Sequence, residues 1–149
     1  MADTSAADQP WIMPDDAVPL LELKFDQASL GTLRAELGRC AEVNGLAETD
    51  LSNFILAVNE IATNAIRYAG GHGRLSLWRC GPQLCCLVVD DGPGIPRRHL
   101  DQARRPTPGH IGGHGLWLAR HICTSIQIDS DRRSGTRVLL QYALPAVGP

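Results

Sequence analysis

From about Thr49 to Ala69, apolar residues recur at spacings of three and four: Leu51, Phe54, Ile55, Val58, Ile61, Ala62, Ala65, Ile66 and Ala69. This periodicity predicts a long amphipathic helix with one buried face. Gly70-Gly71 stops it. Such a helix needs a broad apolar surface to lie against, and the next residues supply one. Arg74 to Cys80 and Gln83 to Asp90 read as two strands joined at Gly81-Pro82. The second contains the run Leu84-Cys85-Cys86-Leu87-Val88-Val89, which has no polar side to turn to water and predicts a strand buried on both faces or nearly so.

The remaining elements are read from shorter signals. Val18 to Phe25 has the apolar density of a strand, and Ser29 is expected to cap a helix that runs to about Val43 and ends at Asn44-Gly45. Pro93 to Gly113 carries four prolines and four glycines, too many for regular structure, and reads as a long loop of the kind that serves function. A helix is expected from Gly115 to Thr124, then strands from Ser125 to Asp131 and from Thr136 to Leu144. Strands and helices in this order suggest an α/β, or α+β, two-layer sandwich with a mixed sheet covered on one face by helices. At 149 residues and 44% apolar content the chain suits one domain, placed at 17–146 behind a flexible tail at 1–16 that is rich in Ala, Asp and Pro.

Composition removes several classes of function. A net charge of -2 gives no general attraction to polyanions, so direct nucleic-acid binding is not expected. Five cysteines form an odd set without a C-x-x-C pair and fit a reducing cytoplasm. No leader-like segment and no apolar stretch of membrane-spanning length is present, so no membrane association is expected.

Three polar clusters stand against this background. Glu60 and Asn64, four apart on the long helix, are neighbours on one face, which helical geometry sets roughly opposite the apolar stripe. A solvated Glu and Asn would account for the pair; so would one amide oxygen for a magnesium ion and a carboxylate one turn away acting as a base. Asp90-Asp91-Gly92-Pro93-Gly94-Ile95 follows the buried strand. An Asp-Gly turn explains it simply, whereas a carboxylate at the edge of a core also matches an adenine amine, with Gly92 and Gly94 letting a flat base approach the backbone. Gly112-Gly113-His114-Gly115-Leu116 opens a helix, where free N–H groups favour an anion such as phosphate. A metal set of His110 and His114 with His121 or Cys123 lacks a recognised ligand spacing. Neither G-x-G-x-x-G nor a Walker loop is completed.

In this order the clusters resemble the Bergerat nucleotide-binding fold of the GHKL superfamily, shared by gyrase-type ATPases, Hsp90, histidine kinases and MutL. The stretches Asn59-Glu60-Ile61-Ala62-Thr63-Asn64-Ala65-Ile66-Arg67-Tyr68 and Gly112-Gly113-His114-Gly115-Leu116-Trp117-Leu118-Ala119-Arg120 look like those of the small anti-sigma serine kinases of the RsbW type. The resemblance implies ATP and magnesium as cofactors. It makes Glu60 the catalytic base and Asn64 the metal ligand. Asp90, Gly92 and Gly94 would serve the adenine, Gly113 and Gly115 the phosphates and Thr136 the water network at the base, with Ile95, His114 and Leu116 among the ATP-binding residues. It further implies a cytoplasmic protein that sequesters a sigma factor, phosphorylates a serine on a STAS-type anti-anti-sigma partner, and can form a homodimer. Three other readings stay open: an ATP-binding regulator that sequesters its partner without phosphate transfer, a histidine-kinase-type catalytic domain acting in trans or excised from a longer protein, and a structural or interaction module that binds no nucleotide.

Overall fold

The computed structural model describes residues 11–68, 70–90, 119–131 and 135–145. Strand β1 (Val18–Asp26) leads through a short 3-10 turn into α1 (Leu30–Val43) and α2 (Glu48–Tyr68). Strands β2 (His72–Cys80), β3 (Gln83–Asp90), β4 (Ser125–Asp131) and β5 (Gly135–Ala143) complete a five-stranded sheet of order β1-β2-β3-β5-β4. The result is the expected two-layer α+β sandwich. Every described ladder is antiparallel, however, where a mixed sheet was expected. The reason is that β5 inserts between β3 and β4. Those two strands point the same way, since each runs antiparallel to β5, but they do not pair with each other.

Local chemistry sets the boundaries. At the end of α1 the Gly45 N–H donates to Glu42 O at 3.0 Å and the Leu46 N–H to Ala41 O at 3.1 Å, a Schellman stop that delivers Leu46 into the core. Ser29 acts differently from expectation. Its side chain makes no capping bond to α1; instead its Oγ accepts from Asp26 N–H at 2.8 Å while Asp26 Oδ1 accepts from Ser29 N–H at 3.0 Å, a reciprocal box around the preceding turn. Gly81, at φ 59°, takes the first central position of the two-residue β2–β3 connection, where a β-carbon would be strained, and Pro82 supplies the fixed negative φ of the second.

The main core lies between sheet and helices. From α2 it takes Phe54, Ala57, Val58, Ile61, Ala62 and Ala65, and from β3 Leu84, Cys86 and Val88. Ala119 and Cys123, at either end of a helical turn over 119–122, belong to it, so Cys123 is a core residue rather than a metal ligand; burial pushes its thiol up to about 12. A smaller cluster of Trp78, Cys85, Leu87 and Leu139 sits on the opposite face of the sheet, with Trp11 and Ala17 packed against it. Part of the segment expected to be a flexible tail therefore covers the outer face, while residues 1–10 lie outside the described residues. Among the described residues no helix is long and apolar enough to cross a membrane.

A half-buried polar contact joins the two layers. Tyr142 meets Phe54 edge-on, with centroids 5.6 Å apart, and its hydroxyl donates to Asp50 Oδ1 at 2.8 Å. Burial first, then the bond to Asp50 and that group's charge, raise the tyrosine from its ordinary 10 to about 12. Folding therefore favours the neutral phenol. Its contribution to stability is intact below pH 10 and is lost as the pH rises toward 12. In urea unfolding followed across this window, wild type should lose more stability than Tyr142→Phe; parallel curves would show that Tyr142 does not carry the effect.

Candidate functional site

Asp90 ends β3 on the side that faces the helices, continuing the alternation Leu84, Cys86, Val88. It is only 5% exposed, and its ladder partner Thr136, the second residue of β5, is 1% exposed. The Thr136 N–H donates to Asp90 Oδ1 at 3.2 Å. A turn aspartate with no further role would sit in water. Burying this carboxylate instead costs several kcal/mol unless donors converge on it, so a turn alone does not explain Asp90. Two positions 46 apart in sequence are thus brought to one rung of the sheet.

Glu60 and Asn64 share a side of α2, as their spacing requires, but that side is not opposite the apolar stripe. Both are half-buried, flanking the buried row of Ala57, Ile61 and Ala65, while Leu56 and Arg67 occupy more exposed positions. A flank position holds a polar side chain against the protein while leaving its tip free for a ligand. α2 packs on β2, β3 and β5, on the face of the sheet to which Asp90 turns. The donor set, one neutral amide oxygen beside one carboxylate, fits a magnesium ion that takes most of its oxygens from phosphate and water. Among the described residues no group of three or more His, Cys, Asp or Glu is placed to hold a metal unaided.

The glycine-bounded turns expected to line the rest of the site, Gly92, Gly94 and Ile95 and then Gly113, His114, Gly115 and Leu116, lie outside the described residues. The structure adds neighbours that the sequence did not single out. A cavity of about 620 Å³ reaches Asp90 and is bordered by Lys24, Phe25, His72, Gly73 and Arg74. That size suits a small-molecule ligand, but neither Glu60 nor Asn64 lines it. Its shape depends on Gly73, because a β-carbon there would stand 2.7 Å from Phe25 Cζ. Only the pairing of β1 with β2, strands separated by both helices, brings Phe25 over Gly73.

A buried strand-end aspartate bonded to a threonine on the neighbouring strand, under a helix carrying Glu and Asn one turn apart, coincides with a family match over residues 23–142. The model matched is the histidine kinase-like ATPase domain. The chain belongs to this family. An ATPase domain of this kind implies ATP binding, and the family match supports membership of the GHKL superfamily. Sensor histidine kinase GtrS of Pseudomonas aeruginosa is 37% identical over 101 residues, covering 61% of this chain and 20% of that protein. Sensor protein kinase PilS of the same organism is 36% identical over 87 residues, covering 52% and 16%. The chain thus spans a fifth or less of the length of these relatives. Among solved structures, a mycobacterial sensor histidine kinase, MprB, superposes with a TM-score of 0.52 at 18% identity over 85% of this chain and 100% of its own. The histidine kinase domain of the blue-light activated EL346 kinase from Erythrobacter litoralis does so at 0.51, with 25% identity over 75% and 65%. Both relatives are sensor kinases and GtrS is named a histidine kinase, which favours the histidine-kinase reading over the anti-sigma serine kinase expected from the motifs.

The Asp90–Thr136 contact makes its own prediction. Asp90→Ala removes an acceptor from a buried N–H and should cost about 1–3 kcal/mol in urea unfolding, whereas Asp90→Asn keeps a side-chain oxygen and should cost less. Equal stability of all three proteins would show that the carboxylate is not part of the folded framework.

Proposed function

We propose that this ATPase domain is the catalytic part of a protein kinase of the sensor type, binding Mg-ATP and donating its terminal phosphoryl group to a histidine on an acceptor protein. The observation that carries this reading is the buried Asp90 carboxylate, tied to Thr136 and turned toward the helix layer, inside a domain whose named relatives are sensor kinases. Held on Oδ1 by the Thr136 N–H, the carboxylate is an acceptor matched to the exocyclic amine of adenine. The Asn64 amide oxygen would hold the magnesium ion, which offsets charge on the phosphates. Glu60, one turn earlier on the same half-buried flank, accepts a hydrogen bond or proton from the attacking group and orients it for in-line transfer.

These roles separate by metal dependence. Asp90→Asn should weaken ADP binding with or without magnesium, while Asn64→Ala should remove mainly the magnesium-dependent part, as read by calorimetric titration. Equal losses in both conditions for both variants would refute the assignment.

The acceptor is tested by incubation with radiolabelled ATP and two proteins, one presenting a histidine on a helix pair and the other a STAS-type anti-anti-sigma protein. The expected label appears on the first and is lost in acid, as a phosphohistidine is. Glu60→Gln should retain ATP affinity while transfer falls by about 10²–10⁴, the usual share of general acid–base catalysis. Acid-stable label on the STAS-type protein would instead favour the anti-sigma serine kinase. Partner binding without transfer would favour the sequestering regulator.

A further inference from the structure

The outer face of the sheet is covered by the chain's own N-terminal residues. Trp11 and Ala17 pack on Trp78, Cys85, Leu87 and Leu139, and a turn closed by the Ala17 N–H donating to Pro14 O at 3.1 Å joins them. The Trp11 ring also receives the Arg137 guanidinium, whose carbon lies 4.7 Å from the ring centroid, and Arg137 in turn pairs with Asp129. Ile12 and Met13 are exposed, and a groove of about 390 Å³ runs along Trp11, Met13 and Trp78. The segment lies over the sheet as a strap whose one aromatic contact is Trp11.

The fastening point adjoins the site described above. Val89 and Arg137 form one rung of the β3–β5 ladder and face the strap; Asp90 and Thr136 form the next rung and face the helix layer. Anything that holds Arg137 and the start of β5 in place also holds the Thr136 N–H on Asp90. We propose that residues 11–17 form a strap whose seating at Trp11 is coupled to nucleotide binding at Asp90, each favouring the other through the two adjacent rungs. The inference rests on the nucleotide-binding reading of that site. Such coupling is reciprocal: a seated strap raises nucleotide affinity, and bound nucleotide tightens the strap.

Cys85 belongs to the cluster on which Trp11 and Ala17 pack and is 3% exposed, so its accessibility is the readout of the seating. Its alkylation rate is measured by mass spectrometry in wild type, Trp11→Ala and Trp11→Phe, with and without Mg-ATP, alongside the ATP dissociation constant of each protein. Trp11→Ala should speed Cys85 labelling several-fold and weaken ATP binding by roughly 5-fold or more, the lower range of allosteric couplings. Trp11→Phe, which keeps a ring on Arg137, should recover most of both, and Mg-ATP should slow labelling in wild type. Unchanged labelling in Trp11→Ala would show that the strap is not seated there. Faster labelling with unchanged ATP affinity would overturn the coupling alone. A wild type that binds no ATP while Trp11 still protects Cys85 would overturn the nucleotide reading, and the coupling with it.

Discussion

Strand β3 is apolar on both faces, and the rest of the domain follows from the need to cover it twice. Leu84, Cys86 and Val88 turn to the helices, and Cys85 and Leu87 turn to the outer cluster. A slip of one residue would exchange these two sets and would bring Asp90 to the wrong face. Paired on both sides, with β2 and β5 as neighbours, the strand has no free edge and one register. The position of Asp90 opposite Thr136 is therefore a consequence of packing along the whole strand. Burial also raises the thiol of Cys86, which removes it from chemistry near neutral pH and leaves it as a small core residue.

The insertion of β5 between β3 and β4 is the second organising event. It puts Thr136 beside Asp90, and it puts Arg137, the next residue, on the opposite face beneath Trp11. One strand start thus serves both sides of the sheet. Beside the buried face of α2, Glu60 and Asn64 occupy half-buried positions on one flank. These suit side chains that must be held firmly and still reach a ligand.

Periodicity and turn chemistry made most elements readable in advance. The limits of β3 and the end of α1 at Asn44-Gly45 matched expectation because local signals decide them. The departures have physical causes of another kind. Ser29 bonds backward to Asp26 because a 3-10 turn intervenes before α1. The sheet is antiparallel because β5 returns into the gap beside β3. Glu60 and Asn64 lie on a flank because the width of the buried row depends on what α2 meets.

The sequence by itself determined the amphipathic helix, the doubly apolar strand and the chemistry available at Glu60, Asn64, Asp90 and Thr136, since side-chain identity and spacings of two, three and four residues are local properties. Tertiary structure alone decided which of these meet. The Asp90–Thr136 rung joins residues 46 apart, the seat of Phe25 on Gly73 needs β1 to return beside β2, and Trp11 finds Arg137 from the other end of the chain. Contacts of that range depend on strand order, which the burial of whole faces selects and no single stretch of sequence encodes.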